Sequence, residues 1–274
     1  MTVHTLAGGI GFTEGPLATR DGRLFVVSLS RGLVVEIDPD GGVLGEIEIG
    51  GGPNGLAEDA DGRIWVAQNG GAVRASRSSR PTRPGLQSVE GPGGVVVDVP
   101  IPGTRAPNDL VAGPDGRLWF TDPGPPGDTG HGRVLAHDPA AGTTETLLDE
   151  QDFPNGLVFD AATDTLHLAH TDAGCITAHH WDGSRLESTG RSVSLPEGGP
   201  DGLALDARGL LYAASPTADA VFVLSADGDL HRRIDFDGPT FPTNLCLAGP
   251  RHDRLVVTAA KGGRVLALPV DPTG

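Results

Sequence analysis

A stretch that recurs along the chain limits what it can fold into. One copy reads Pro107-Asn108-Asp109-Leu110-Val111-Ala112-Gly113-Pro114-Asp115-Gly116-Arg117-Leu118-Trp119-Phe120-Thr121-Asp122. It reads as a strand, a tight Asp-Gly turn and a second strand. The residue that follows or replaces the Pro-Asn pair defines one slot per copy. The slots are Glu14, Asn54, Asn108, Asn155, Asp201 and, in a weaker copy, Thr243. Their spacings are 40, 54, 47, 46 and 42 residues, lengths that suit one four-stranded propeller blade each. The sequence therefore predicts an all-β fold, a six-bladed β-propeller spanning residues 1–274 as one domain.

Each unit supports this. After the slot comes Gly-Leu or its equivalent and a short apolar run, then a turn such as Asp21-Gly22 or Asp61-Gly62. The returning strand is apolar, as in Leu24-Phe25-Val26-Val27 and Ile64-Trp65-Val66-Ala67. No long stretch has the 3.6-residue period of a helix, which argues against a βαβ fold. The sixth unit ends after about three strands, at Arg264 to Leu268. Val3-His4-Thr5-Leu6, ahead of the first slot, is expected to supply the fourth strand and close the ring.

Composition excludes some functions. The net charge of −16 argues against nucleic acid, whose phosphates need a basic face. No stretch approaches the run of about 18 apolar residues that spans a membrane. The first residues lack the basic and apolar segments of a secretory signal, so a cytoplasmic protein is the expectation. Cys175 and Cys246 form no zinc or disulfide pattern, and their blades are not neighbours.

In a propeller every inner strand starts at one face near the axis, so the six slots converge. Two carboxylates among them, Glu14 and Asp201, would repel at a dry axis unless a cation joins them. Oxygen ligands of carboxylate and amide type suit Ca²⁺, Mg²⁺ or Mn²⁺, and Zn²⁺ stays open. Taken singly, an Asn or Asp before Gly is ordinary turn chemistry. Glu14 is a poor turn former, and that favours the cation reading. Two loops, Gly70 to Gly85 and Pro123 to Gly132, are expected over the same mouth. The first carries Arg74, Arg77, Arg80 and Arg83, and the second Asp128 and His131. His131 and His170 are each either a proton shuttle or an ordinary solvated or hydrogen-bonded histidine. The three tryptophans read as blade packing.

Glu14-Gly15-Pro16, Pro53-Asn54-Gly55-Leu56, Pro107-Asn108-Asp109-Leu110, Pro154-Asn155-Gly156-Leu157 and Pro200-Asp201-Gly202-Leu203 resemble the senescence marker protein (regucalcin)/gluconolactonase family over nearly the whole chain. The resemblance implies one divalent cation in the axial channel, Ca²⁺ first, and hydrolysis of a sugar lactone or related ester. It implies Glu14, Asn155 and Asp201 as metal ligands, with Asp201 also the catalytic base. Asn108 would bind substrate or reach the metal. Many members carry an Arg two residues before the third slot. Here Ala106 stands there and Arg105 one step earlier, so Arg105 and His131 are the candidate substrate contacts. The implied partner is a small lactone. The alternative is an organophosphate-hydrolysing propeller of the same metal-site type; Glu14 together with Asp201 argues against the two others, a non-catalytic binding propeller and a metal-free strictosidine synthase-like propeller.

Overall fold

Short aliphatic runs between Gly-rich turns become strands of three to nine residues. The computed structural model describes residues 2–90, 94–128, 130–225 and 227–270. The strands form six four-stranded antiparallel sheets, the blades, each ordered from the inner strand outward. Blade 1 is Thr13–Ala18, Leu24–Ser28, Leu33–Ile37 and Val43–Glu48. Blade 2 is Pro53–Glu58, Ile64–Gln68, Gly85–Glu90 and Val95–Pro100. Blade 3 is Leu110–Ala112, Leu118–Asp122, Gly132–Asp138 and Thr143–Gln151. Blade 4 is Pro154–Asp160, Thr165–His170, Cys175–Trp181 and Leu186–Ser194. Blade 5 is Leu203–Leu205, Leu211–Ser215, Ala220–Leu224 and Leu230–Asp235. Blade 6 takes three strands from the end of the chain, Pro242–Ala248, Arg254–Ala259 and Arg264–Pro269, and its outer strand from the beginning, His4–Ala7.

That closing strand pairs His4 with Ala267, Thr5 with Leu266 and Ala7 with Val265. It ties the two ends of the described chain into one sheet, as strand counting in the sequence anticipates. The ring is closed there by hydrogen bonds between an N-terminal and a C-terminal strand.

The core lies between blades. Blade faces pack on their neighbours, so a middle strand is buried on both sides and reads as a continuous apolar run rather than an alternation. Leu24–Ser28 and Ile64–Gln68 are buried at every residue. Outer strands such as Val43–Glu48 are largely exposed. One apolar cluster fills each junction between adjacent blades. At the closing junction Leu6, Ile10, Val26 and Val35 pack with Val256 and Val265. Between blades 3 and 4, Trp119 meets Trp181 edge-on at 4.8 Å. Trp65 and Trp119 donate their indole N–H to the turn carboxylates of Asp59 and Asp115, so the tryptophans are packing residues. Cys175 and Cys246 are free thiols.

The closing junction can be tested by truncation of a side chain. Leu6→Ala is expected to cost about 2–4 kcal/mol of unfolding free energy. Leu44→Ala, on the exposed outer strand of blade 1 with Leu44 61% accessible, is expected to stay within about 0.5 kcal/mol. Denaturant melts of the two variants check both.

Candidate metal and substrate site on the propeller axis

The slot residues sit where the inner strands begin, and a bulge turns them out of the ladder. Pairing between the first two strands shifts register at Glu14/Leu17, Pro53/Leu56, Pro154/Leu157 and Pro242/Asn244. Bulges of this kind re-aim a side chain. Glu14, Asn54, Asn108, Asn155 and Thr243 are buried, and Asp201 keeps intermediate exposure.

One residue further on, four blades carry glycine: Gly15, Gly55, Gly156 and Gly202. The other two carry Asp109 and Asn244, in blades 3 and 6, which face each other across the ring. Asn244 Nδ2 donates to Asp109 Oδ2 at 3.2 Å, a strut across the axis. The two ends match. Asp109 Oδ1 accepts from Leu110 N at 3.0 Å and Asn244 Oδ1 from Leu245 N at 2.7 Å. Asp109 N and Asn244 N donate to Thr121 Oγ1 and Thr258 Oγ1, each at 3.0 Å. A Cβ on Gly55 would collide with the Asp109 carboxylate, and one on Gly202 with the Asn244 amide. Glycine is therefore required beside the strut. Below it, Pro16, Leu56, Leu110, Leu157, Leu203 and Leu245 line an apolar cavity of about 270 Å³.

The ring of slots is also stitched blade to blade. Gly55 N donates to Asn108 O at 2.7 Å, Gly156 N to Asp201 O at 3.1 Å and Gly202 N to Thr243 O at 2.9 Å. Where the glycine is replaced, a hydroxyl makes the link: Thr121 Oγ1 to Asn155 O at 2.9 Å, and Thr243 Oγ1 to Thr13 O at 2.8 Å.

Three carboxylates thus share the axis, and each is pushed to higher pKa. Burial is the main cause for Glu14, with repulsion from Asp201 and then Asp109 added. Burial and then Asp109 act on Asp201, which the Asn155 amide partly relieves. Burial drives Asp109 to about 6 against the hydrogen bonds from Asn244 and Leu110. No basic side chain is among the groups acting on any of the three.

This donor set fits a hard divalent cation. It combines acidic and amide oxygens with an uncompensated negative field. Among the described residues, no three His, Cys, Asp or Glu side chains stand close enough to form a metal cluster by themselves. A cation here would need amide oxygens too. Asn155 is suited to this, because its Nδ2 is spent on Thr171 Oγ1 at 3.0 Å, leaving Oδ1 available. Thr171 in turn donates to Pro200 O at 2.7 Å and fixes the approach to Asp201.

The remaining sequence candidates fall on the mouth. The loops 69–84 and 123–131 lie between second and third strands, as expected. Arg105 is half-buried and already engaged: its guanidinium donates to Asp128 and to the carbonyl of His131. The carbonyl of His131, not its ring, makes that contact. Arg105 N and Ala106 N donate to the fully buried Asp122, which also pairs with Arg133 at 2.5 Å. Asp122 thereby anchors the segment that leads into Asn108. His170 is committed to structure: Nδ1 faces Asp152 O at 3.1 Å and Nε2 faces Thr177 Oγ1 at 2.9 Å. Sequence reasoning did not single out Asp109, Asn244 or Asp122. The signal for the strut was the loss of the post-slot glycine in two copies three units apart.

An all-β propeller with acidic and amide groups drawn to its axis defines the class. The chain belongs to the SMP-30/Gluconolactonase/LRE-like family, which it matches over residues 12–261. It is 33% identical over 164 residues to Pentonolactonase XacC of Haloferax volcanii, an alignment covering 57% of this chain and 53% of that one. The aligned region is thus about half the length of that relative. It is 26% identical to the Gluconolactonase of Zymomonas mobilis, covering 94% of this chain and 79% of the other. Among solved structures, a gluconolactonase of Xanthomonas campestris superposes with a TM-score of 0.79 at 26% identity, covering 98% of this chain and 89% of that chain.

The axial carboxylates set a pH signature on stability. A carboxyl whose pKa rises on folding gives stability that is complete below its unfolded pKa and is lost as pH rises through the folded one. For Asp109 that window runs from about 4 to about 6. Buried His170 and His179 have lowered pKa values and act in the opposite sense, so the variant difference is the clean readout. In chelator-stripped protein, Asp109→Asn is expected to be more stable than the parent by about 2 kcal/mol at pH 7.5. The gain is expected to vanish below about pH 4. Thermal melts across pH check it.

Proposed function

We propose that this chain is a lactone hydrolase that works with one divalent cation held on the propeller axis. The observation that carries the reading is the convergence of buried Glu14 and Asp109 with half-buried Asp201, repelling one another and with no basic partner among the described residues. A fold that needed only turn residues would not retain such a set. The names of the relatives, pentonolactonase and gluconolactonase, agree with lactone chemistry.

Glu14, Asn155 and Asp201 would hold the cation through oxygen, with Ca²⁺ the first choice and Mg²⁺, Mn²⁺ and Zn²⁺ next. When bound, the cation supplies Lewis acidity toward a carbonyl oxygen. The other tasks belong to the protein. Lactone hydrolysis adds water across the ring ester. The water oxygen bonds to the carbonyl carbon, the ring C–O bond breaks, and the released oxygen takes a proton. Asp201, at the exposed edge of the carboxylate group, is the base that receives the water's proton. Asn108 is suited to orient the substrate, because its side-chain amide stands at the slot layer beside Asp109 and has no hydrogen-bond partner among the described residues. Arg105 contributes to substrate contact only insofar as it leaves Asp128. Backbone and threonine hydrogen bonds between neighbouring slot segments hold these groups relative to one another, which is what positional catalysis requires.

The test uses chelator-stripped protein, a panel of γ- and δ-lactones, and add-back of each cation. Lactone turnover is expected to disappear on stripping and to return with one cation. Glu14→Gln and Asp201→Asn are each expected to lower kcat/KM by at least about 100-fold while the melting curve stays cooperative. Full turnover in stripped protein, or none with any cation, would contradict the reading.

A further inference from the structure

Just above the slots, three blades present a phenylalanine to the mouth and the other three a glycine or alanine. Two residues before each slot stand Phe12, Gly52, Ala106, Phe153, Gly199 and Phe241. None carries a charge or a hydrogen-bonding side chain. Four of these are equivalent by hydrogen bonding. The carbonyls of Phe12, Gly52, Phe153 and Phe241 accept from Leu29 N, Asn69 N, Thr171 N and Ala260 N at the ends of the second strands. The three phenylalanines are not core residues. Phe12 and Phe153 have intermediate exposure, and Phe241 is 40% exposed. Phe12 and Phe241 come from the adjacent blades 1 and 6 and meet edge-on with centroids 6.3 Å apart. Phe153 stands at the same level in blade 4, across the ring from blade 1.

Backbone strain marks two of them. Phe153 has φ 40° and Phe241 φ 53°, a region that bulky residues rarely enter. Strain of this kind persists where the surroundings hold it, and it gathers at functional sites. At Phe241 the hold is visible: Asp219 Oδ1 accepts from Thr240 N at 2.9 Å and from Phe241 N at 2.6 Å. Arg74 lies over the Phe12 ring at 4.5 Å, and Arg105 is taken by Asp128.

We propose that the mouth selects lactones bearing an apolar substituent. The ester end goes down to the acidic and amide slots, and the alkyl or aryl substituent lies against Phe12, Phe241 and Phe153. This rests on the lactonase reading and narrows it. A polyhydroxylated lactone would place hydroxyls against these three rings, and a hydroxyl unpaired there is disfavoured. A methylene placed against the rings is favoured, by up to about fourfold per group.

The test compares kcat/KM for γ-butyrolactone, γ-hexalactone and γ-decalactone with that for glucono-δ-lactone, in cation-loaded protein. Kcat/KM is expected to climb with chain length, by at least about tenfold from butyro- to decalactone. Decalactone is also expected to exceed the gluconolactone. Phe241→Ala and Phe12→Ala are each expected to shrink the decalactone-to-butyrolactone ratio by about tenfold. Melting curves show whether either variant remains folded, and Phe12, with no positive φ, serves if Phe241→Ala does not. A flat series, or a preference for the gluconolactone, would overturn the proposal while leaving a lactonase. No hydrolysis of any lactone would instead overturn the lactonase reading on which it stands.

Discussion

Three acids that repel one another are drawn to the centre of this ring, two buried and Asp201 half-buried, and the rest of the structure is arranged so that they can be. Glu14, Asp201 and Asp109 all face desolvation as the largest force on their charge. A carboxylate in that position protonates or finds a cation. The six apolar junctions between blades provide the stability that tolerates this arrangement. The N-terminal strand matters for the same reason, since a ring that opened would let water reach the axis and would separate the acids.

The axis is layered from polar to apolar. Slot residues form the polar layer, the Asp109–Asn244 strut crosses beneath them, and leucines with Pro16 line the far side. The strut explains why glycine follows the slot in blades 2 and 5, where a Cβ would strike it. It also explains the substitution of hydroxyl links for glycine N–H links at Thr121 and Thr243. Inner strands in this fold are thus read in pairs of opposite blades as well as one at a time.

Much of this was legible in the sequence because a propeller converts a one-dimensional repeat into a radial one. Once the copies are aligned, the six slots, the blade count and the closing strand follow from spacing and strand counting. The convergence of Glu14 with Asp201 follows as well. Asp109 and Asn244 were missed because each, read within its own copy, is an ordinary turn residue. Their partnership appears only when blades 3 and 6 are set opposite each other. Arg105 shows a different limit. Its place near the mouth is readable from its position before Asn108, but its capture by Asp128 depends on how the 123–131 loop folds back. The rim of Phe12, Phe153 and Phe241 was hidden for the same reason as the strut, being spread over three distant copies.

The proposed function turns on uptake of one divalent cation by the axial acids, whose raised pKa values set that uptake in competition with protons. The most direct measurement is calorimetric titration of Ca²⁺ into chelator-stripped protein at pH 6, repeated in buffers of different ionisation enthalpy. The account predicts binding coupled to release of at least about one proton per cation, reduced in Glu14→Gln. Binding with no proton release, or no binding of Ca²⁺, Mg²⁺, Mn²⁺ or Zn²⁺ by folded protein, would contradict it.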